Sequence, residues 1–189
     1  MKLIVGLGNP GSEYAGTRHN AGFEWVCRLS EDLNVSFKAE SRFYGLCGRV
    51  GHGDADLWLL KPQTYMNRSG QSVGALCQFY KIQPEQVLVV HDELDLQPGI
   101  SKLKWGGGHG GHNGLKDIAA HLGTKDFWRL RIGVGHPGDR SEVVNYVLHS
   151  PREEEASLID EAIHRSMAVW PEISQGDCQA AMLKLHTKP

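Results

Sequence analysis

Glycine is concentrated in one stretch of this sequence: six of the nine residues from Gly106 to Gly114 are glycine. A run of residues without Cβ atoms can adopt positive φ angles and lets a bulky group approach the backbone amides closely. Flexible linkers are also rich in glycine, but serine usually fills them, rather than the His109, His112 and Asn113 found here. The stretch therefore predicts a ligand-binding loop, with a flexible surface loop as the alternative.

An amphipathic helix is predicted to follow this loop directly. Its apolar residues recur at i, i+3, i+4 and i+7, namely at Leu115, Ile118, Ala119 and Leu122. We expect Asn113 to cap the amino end of the helix, where free backbone amides favour anions.

The rest of the chain alternates short apolar runs with helical patterns. Residues 2–7 and 87–91 are apolar enough for two buried, central, parallel strands. Further strands are predicted at residues 42–50, 56–60, 101–105 and 128–134, with a hairpin turn at 51–54. Helical patterns lie between and after these strands. The alternation predicts an α/β fold: a single three-layer domain, residues 1–189, with a twisted mixed β-sheet flanked by helices.

The composition is that of a globular protein that can bury a core, with 189 residues, 40% of them hydrophobic and 22% charged. No apolar run approaches the roughly 18 residues of a membrane span, and the first residues lack the pattern of a signal peptide. We therefore expect a cytoplasmic protein that does not bind membranes. Its four cysteines lack C-x-x-C spacing and are predicted to be reduced.

The formal net charge of −2 hides an uneven distribution of charge. Residues 102–140 hold seven Lys or Arg against three acidic residues, a balance of +4, whereas residues 151–172 hold two against six, a balance of −4. This asymmetry permits a phosphate-bearing partner on one face of the protein. Solvated charged faces are the alternative explanation for both segments.

Residues Gly6 to Gly11 match G-x-G-x-x-G, a pattern typical of dinucleotide-binding folds. Those folds need a helix that opens at the third glycine and an acidic residue at the end of the next strand. Here Pro10 and the polar residues after it postpone the predicted helix to Asn20. We interpret the glycines as turn residues, although the motif leaves open a nucleotide- or RNA-binding module without catalysis.

Several polar side chains are expected at one edge of the predicted sheet. Ligands of open α/β sheets bind beyond the carboxyl ends of the strands, where Asp92 and the glycine-rich loop are predicted to lie. The loops expected there also contain four asparagines: Asn9, Asn20, Asn67 and Asn113. One asparagine alone is typical of a turn or a cap, but together they predict a neutral pocket whose amides bind a carbonyl group and its developing oxyanion.

A hydrolytic reaction in this pocket needs a nucleophile. The sequence contains no G-x-S-x-G motif and no thiol-protease signature, which leaves a water molecule activated by a base. His19 is predicted at the mouth of the first helix, whose amino end favours a neutral imidazole if the ring is unpaired. Paired with Asp92, His19 would be such a base, because the carboxylate fixes its tautomer and stabilises the imidazolium. A lone histidine at this place is more often a capping or exposed residue.

A zinc site is the competing interpretation. His109 and His112, together with His91 and Asp92, offer enough ligands for zinc. The two loop histidines are not held at helical spacing, however, and metal-binding histidines need hydrogen-bond partners of their own. We therefore expect no metal and no other cofactor, and a metal-dependent hydrolase stays as the alternative.

Six sequence blocks, in order, resemble the motifs of bacterial peptidyl-tRNA hydrolases. They are V-G-L-G-N-P-G (5–11), T-R-H-N-A-G (17–22), K-P-Q-T-Y-M-N-R-S-G (61–70), H-D-E-L-D (91–95), G-G-G-H-G-G-H-N-G-L-K-D-I (106–118) and R-L-R-I-G-V-G-H-P-G (129–138). The resemblance extends from residue 1 to about residue 150 and no motif position departs from the family pattern.

The resemblance implies a metal-independent esterase that cleaves the bond between a peptide and the 3′ ribose of tRNA, so that both can be reused in translation. It implies His19 as the catalytic base and Asp92 as its supporting carboxylate. The residues implied in substrate binding are Asn9, Tyr14, Asn20, Tyr65, Met66, Asn67, His112 and Asn113. Those implied in clamping a terminal phosphate of tRNA are Lys102, Lys104 and Arg131. The implied partner is peptidyl-tRNA, bound at its acceptor end and 3′ peptidyl-adenosine, and we expect a monomer.

Overall fold

A mixed sheet of seven strands forms the centre of the computed structural model, which describes residues 1–51 and 56–187. Its strands are β1 (Leu3–Gly6), β2 (Lys38–Glu40), β3 (Gly45–Val50), β4 (Leu57–Pro62), β5 (Val87–Glu93), β6 (Ser101–Trp105) and β7 (Trp128–Gly133). Their spatial order is β2-β3-β4-β1-β5-β7-β6. Strands β1, β4, β5 and β7 run parallel, whereas β2, β3 and β6 pair antiparallel with their neighbours. The carboxyl ends of the four parallel strands meet at one edge, which we name the carboxyl edge.

Helices cover both faces of this sheet. One face carries α1 (Ala21–Asp32), α5 (Glu153–Met167), α6 (Trp170–Ser174) and α7 (Cys178–His186), and the other carries α2 (Ser69–Tyr80) and α3 (Asn113–Leu122). The short helix α4 (Val143–Val147) follows β7 along the chain. Successive residues of β5 alternate between the two cores, because Val87 and Val89 pack beneath α2 and α3 whereas Leu88 and Val90 pack beneath α1. The predicted three-layer α/β fold with a mixed sheet is confirmed.

All six predicted strands are present, and β1 and β5 are the buried central pair. Strand β2 was missed by the sequence analysis, because its three residues are largely exposed and carry no apolar pattern. The predicted hairpin turn lies mostly outside the described residues, at 52–54, but the antiparallel pairing that it requires is confirmed, since Val50 stands opposite Leu57.

Two glycines allow α1 to lie directly on the central strands. A Cβ atom on Gly6 would stand 2.3 Å from the carbonyl oxygen of Gly22, and a Cβ atom on Gly22 would stand 2.3 Å from the carbonyl oxygen of Val90. Larger side chains at either position would lift the amino end of α1 off the sheet. His19 precedes α1 by two residues, so this close approach also determines where His19 lies.

The segment from Gly6 to Gly11 does not form a dinucleotide-binding turn. Gly11 has φ 111° and leads into two single turns of 3₁₀ helix, Ser12–Tyr14 and Arg18–Asn20, and α1 begins only at Ala21. The α-helix that a dinucleotide-binding fold needs at the third glycine is therefore not formed there, and the interpretation of these glycines as turn residues is confirmed.

The glycine-rich loop follows a different path from the predicted one. It begins at the amino end of β7, where the amide of Gly106 donates to the carbonyl of Phe127 at 3.0 Å. It ends at the carboxyl edge, where His112 contacts Asp92. The loop thus crosses one face of the sheet from edge to edge, and only its last residues lie at the carboxyl edge. Its helix is also capped differently, because His112, not Asn113, accepts the free amides of α3.

Two further expectations concern the whole chain. All four cysteines are free, as predicted. Across the described ranges, no helix combines the length and apolar character needed to cross a membrane.

Candidate active site

A cavity of about 250 Å³ opens at the carboxyl edge. Eight of the ten residues predicted for catalysis and substrate binding line it: Asn9, His19, Tyr65, Met66, Asn67, Asp92, His112 and Asn113. Tyr14 and Asn20 do not line it. A larger cavity of about 500 Å³ lies on the other side of Asn9, but His19 and Asp92 do not reach it. The chemistry is therefore concentrated in the smaller cavity, which we name the active-site cavity.

Asp92 is the centre of the hydrogen bonds in this cavity. The carboxylate is only 3% exposed and accepts from two imidazoles. His19 Nδ1 lies 2.9 Å from Asp92 Oδ2 and 3.0 Å from Oδ1, while His112 Nε2 lies 2.8 Å from Oδ1. The contact between His19 and Asp92, inferred from their places in the sequence, thus exists in the structure. His112 is a second partner of the same carboxylate.

The hydrogen bonds fix the tautomers of both rings. His112 Nδ1 accepts from the amides of Gly114 and Leu115 at 3.2 and 3.4 Å, so its hydrogen is on Nε2 and is donated to Asp92. His19 donates its Nδ1 hydrogen to the same carboxylate. The nitrogen of His19 that remains for another partner is Nε2, with its lone pair.

Burial and charge act in opposite directions on these groups. Burial lowers the pKa of His19, but the negative charge and the hydrogen bond of Asp92 outweigh it, so that the pKa is raised above its ordinary value. Burial raises the pKa of Asp92, but the two imidazoles lower it by more, so that the pKa lies below its ordinary value and the carboxylate is held in its ionised form. The tendency towards a neutral ring, predicted for an unpaired His19, therefore does not apply, because Asp92 pairs with it.

Asn20 holds Asn9 in place and does not face the active-site cavity. Its Oδ1 accepts from the Asn9 amide at 2.8 Å, and its Nδ2 donates to the Asn9 carbonyl at 3.0 Å. The Asn9 side chain in turn accepts, through Oδ1, from the amide of Met66 at 2.7 Å. With Oδ1 occupied, the N–H groups of the Asn9 side chain are left to donate to a ligand. Asn67 and Asn113 lie on the exposed part of the lining.

One wall of the cavity is apolar and was not predicted. It consists of Leu94 and of residues around α4: Val143, Val144, Val147 and Leu148. Val144 is 68% exposed, and Tyr65, among the other lining residues, is 61% exposed. The only signal in the sequence was the short V-V-N-Y-V run, which is too brief to be distinguished from an ordinary buried turn of helix.

Arg18, the neighbour of His19 in the chain, fixes the position of this wall. Its guanidinium stacks 3.8 Å from the ring centroid of Tyr146 and donates to the Tyr146 carbonyl at 2.9 Å. It also pairs with Glu155 of α5 at 3.2 Å, while the Tyr146 hydroxyl donates to the Val134 carbonyl at 2.6 Å. The acidic start of α5 therefore helps to hold α4 beside the cavity.

The predicted basic residues lie on β6 and β7, away from His19. In the antiparallel register, Lys102 stands opposite Arg131 and Lys104 stands opposite Arg129, so all four side chains start from one face of the sheet. Lys104, Arg129 and Arg131 line a further cavity of about 200 Å³ together with Glu93 and Asp95, whereas Lys102 lines a groove against α7. Arg131 is paired with Glu93 at 2.8 Å, and Lys102 and Lys104 are exposed. This cavity, which we name the basic cavity, is lined by three basic and two acidic side chains, a small excess of positive charge that favours a phosphate.

Of the four zinc ligands considered from the sequence, His112 and Asp92 come together, but His91 and His109 do not join them in a metal-binding group. His109 Nδ1 accepts from the amide of Gly111, and among the described residues the group close enough to hold a metal ion is instead His19, Asp92 and His112. A metal on His112 Nε2 would displace the hydrogen that now bonds Asp92. The other nitrogen of that ring faces amide donors, whereas metal-bound histidines donate from it. The polarity of these hydrogen bonds thus favours the two histidine–carboxylate contacts over metal binding.

Comparisons with known proteins agree on one family. The peptidyl-tRNA hydrolase family model matches residues 3–189. The chain is 68% identical over 188 residues to the peptidyl-tRNA hydrolase of Nitrosospira multiformis, with 100% of this chain and 98% of the relative covered. It is 66% identical to that of Nitrosomonas europaea, with 100% and 96% covered. The crystal structure of peptidyl-tRNA hydrolase from Acinetobacter baumannii superposes with a TM-score of 0.95 at 49% identity, covering 99% of this chain and 95% of that one.

Proposed function

Because this chain belongs to the peptidyl-tRNA hydrolase family, it is a hydrolase of the peptidyl-tRNA ester bond, and we propose that His19 is the base that activates the attacking water. The observation that carries this proposal is the hydrogen bond from His19 Nδ1 to the buried Asp92, at 2.9 Å. It leaves Nε2 as a lone-pair acceptor on a ring that lines the active-site cavity.

The proposed reaction begins when water in the cavity donates a proton to His19 Nε2 and attacks the ester carbonyl carbon. Asp92 stabilises the imidazolium that forms, which is consistent with the raised pKa of His19. The carbonyl oxygen becomes an oxyanion, to which the free N–H groups of the Asn9 side chain are proposed to donate, with Asn67 and Asn113 nearby. The imidazolium then returns the proton to the 3′ oxygen of the ribose, which leaves as the hydroxyl of free tRNA.

We assign different roles to the other predicted residues. Asn20 positions Asn9 through two hydrogen bonds. His112 holds Asp92, and Tyr65 and Met66 line the cavity where the peptide or the terminal adenosine would lie. Tyr14 lies outside the active-site cavity, and we propose no contact between it and the ester.

The basic cavity is proposed to bind a terminal phosphate of the tRNA. Lys104 and Arg131 line it, and Lys102 stands beside Arg131 on the neighbouring strand. Phosphate contacts fix the position of a nucleic acid without reading its sequence, which suits an enzyme that acts on many tRNAs. We also propose that residues 1–189 form one domain that acts as a monomer in the cytoplasm, where peptidyl-tRNA is produced by translation.

His19→Ala tests this function, with N-acetyl-aminoacyl-tRNA as the substrate. We expect turnover to fall at least about 100-fold, because general-base catalysis contributes that much or more, while the affinity for uncharged tRNA stays within about twofold. His164→Ala, which removes an exposed histidine of α5, is the control and should keep full activity. Turnover by the His19→Ala protein at the wild-type rate would exclude His19 as the base, and loss of activity on treatment with EDTA would favour the metal-dependent alternative.

A further inference from the structure

Arg129 is a buried charge that the proposed mechanism does not use. It lies on β7 opposite Lys104 and only 2% of it is exposed, although its cross-strand neighbour is solvent-exposed. Its position two residues before Arg131, on the same face of the sheet, suggests a further phosphate ligand. The hydrogen bonds of its guanidinium group show a different arrangement.

The guanidinium group of Arg129 donates to the backbone of the glycine-rich loop. Its Nη1 donates to the Gly108 carbonyl at 2.6 Å, and its Nη2 donates to the Gly107 carbonyl at 2.8 Å and to the Lys125 carbonyl at 3.2 Å. The group also stacks 4.5 Å from the ring centroid of Phe127. Three N–H groups on its Nη atoms are thus bonded to the protein before any phosphate arrives, and they hold two consecutive carbonyls of the loop, whereas its buried Nε has no hydrogen-bond partner among the described residues.

Near its end the loop has hydrogen bonds of its own, because the amides of Gly111 and His112 donate to the Nδ1 and the carbonyl of His109, but these fix the turn at residues 109–112 and not the path across the sheet. Positive φ angles occur at Gly106, Gly107, Gly110 and Gly111. Glycine adopts this conformation readily, but it has no side chain that would restrict the backbone to it. A Cβ atom on Gly110 or Gly111 would meet nothing within 4 Å, so packing does not hold this part. At its far end, His112 must reach both Asp92 and the amides that begin α3. Arg129 therefore holds the loop one and two residues after its fixed start at Gly106, and four residues before His112.

We propose that Arg129 is a positioning residue: by holding the carbonyls of Gly107 and Gly108, it sets the path of the glycine-rich loop that brings His112 to Asp92. This inference rests on the proposed function of the His19–Asp92 pair. It separates the roles of two neighbouring arginines, since Arg129 acts on the active-site cavity through the loop and Arg131 acts on the tRNA phosphate.

Arginine is required at this position for a geometric reason. A planar guanidinium can donate to three carbonyls in fixed directions, whereas the ammonium of lysine is a single point charge on a flexible stem. Arg129→Lys should therefore retain only part of the hold on the loop carbonyls. Arg129→Met, whose side chain has a similar length and no donor, should retain none of it.

The test compares Arg129→Met with Arg131→Met on two substrates. One is N-acetyl-aminoacyl-tRNA, and the other is N-acetyl-aminoacyl-adenosine, which has the ester and no phosphate. A displacement of about 1 Å in a catalytic group can cost about 100-fold in rate. We therefore expect Arg129→Met to lose about 10- to 100-fold in kcat on the tRNA substrate. On the adenosine ester, kcat/KM should fall by a similar factor. Arg131→Met should instead raise KM for the tRNA substrate and lose much less on the adenosine ester than on the tRNA substrate. Lys38→Met, on the exposed strand β2 at the far edge of the sheet, is the control that should keep the wild-type rate on both substrates.

The pH profile provides a readout that simple loss of stability would not move. If His112 leaves Asp92 in the Arg129→Met protein, the carboxylate acts on His19 alone, so the acid limb of kcat/KM should shift to higher pH. The limb of the control Lys38→Met should stay in place, because Lys38 lies on β2 at the far edge of the sheet. Hydrogen exchange should increase at the amides of residues 106–112 and at Gly114 and Leu115, which donate to His112, but not in the rest of α3. If Arg129→Met cannot be purified in folded form, Arg129→Lys is used in each assay, with smaller effects of the same sign.

Three outcomes would overturn the proposal. First, Arg129→Met could behave like Arg131→Met, which would make Arg129 a phosphate ligand. Second, the Arg129→Met protein could hydrolyse the adenosine ester at the wild-type rate. Third, its hydrogen exchange could increase throughout α3, which would mean a general structural role for Arg129. Failure of the proposed function has a different signature, because His19→Ala would then hydrolyse the adenosine ester whatever the result for Arg129.

Discussion

Replacing Asp92 with asparagine tests the active-site cavity most directly, because the two side chains have the same shape. The Asp92 carboxylate now accepts hydrogen bonds from both His112 and His19. An amide has one oxygen that accepts and one nitrogen that donates. One of the two imidazoles must therefore face a donor in Asp92→Asn and change its tautomer.

The structure determines which ring changes. His112 cannot, because its Nδ1 already accepts from the amides of Gly114 and Leu115. The amide oxygen must then lie near His112, and the amide nitrogen lies 2.9 Å from His19 Nδ1, where Asp92 Oδ2 is now. The amide oxygen would also lie 3.0 Å from His19 Nδ1, but His112 already donates to it at 2.8 Å. We therefore expect His19 to accept from the amide nitrogen at Nδ1 and to carry its hydrogen on Nε2, where it could no longer take a proton from water.

We expect a loss of about 10³- to 10⁴-fold in kcat, the size seen when a catalytic histidine is held in the wrong tautomer. This corresponds to about 4–5 kcal/mol of transition-state stabilisation. The residual activity should also have its acid limb at lower pH than that of the wild type, because the carboxylate that raises the pKa of His19 is absent.

The assay is single-turnover hydrolysis of N-acetyl-aminoacyl-tRNA between about pH 5 and pH 9, a range that spans the ordinary histidine pKa of about 6.5. Asp32→Asn, on the exposed side of α1, is the control for the loss of one carboxylate. An Asp92→Asn enzyme within about tenfold of the wild type would refute the tautomer argument. An unchanged acid limb would show that Asp92 does not act on His19.

Three other outcomes follow from the geometry. Lys104→Ala combined with Arg131→Ala should raise KM for peptidyl-tRNA. The slope of log KM against log salt concentration should fall by roughly 0.7–0.9 for each phosphate that the two side chains no longer neutralise, and an unchanged slope would contradict the clamp. Gly70→Ala should destabilise the protein by about 1–3 kcal/mol in urea unfolding, because its Cβ would stand 2.2 Å from a carbonyl oxygen of α3. Gly74→Ala, one turn later in the same helix, meets nothing closer than 3.4 Å and should be neutral or stabilising, and equal effects would refute the packing argument. The pKa of His19 is raised in the folded protein, so its protonated form adds stability that is present below about pH 6.5 and lost as pH rises through the folded pKa. His19→Asn should therefore lower Tm more at about pH 5.5 than at about pH 9. The reverse order would contradict the shift.

The strands and most helices could be predicted because their signals are local. Val87 to Val90 is an unbroken apolar run, and alternate residues of it pack into the two cores on either face of the sheet. Residues 38–40 carried no such signal, and their strand depends on pairing with β3. Helix α3 was recognised from its apolar spacing, but its cap was assigned one residue too late, since the choice between His112 and Asn113 depends on ring geometry.

The residues of the active-site cavity could be found from the sequence to the extent that they follow strand ends. Asn9 and Asp92 belong to the ends of two adjacent parallel strands, so their proximity follows from the sheet itself. The apolar wall around α4 could not be found in this way, because α4 is held beside the cavity by contacts between distant parts of the chain, such as those of Arg18 with Tyr146 and of Tyr146 with Val134.

By itself, the sequence determined the alternation of elements, the sheet edge at which chemistry gathers and the pairing of an imidazole with a carboxylate there. These depend on periodicity and on the direction of parallel strands, which are properties of short segments. Only the tertiary structure decided which nitrogen of His19 is left to act, that Asn20 serves Asn9, and that Arg129 is bonded to the loop and so differs from Arg131. Hydrogen-bond direction and burial arise from atoms brought together from distant parts of the chain, and no local pattern contains them.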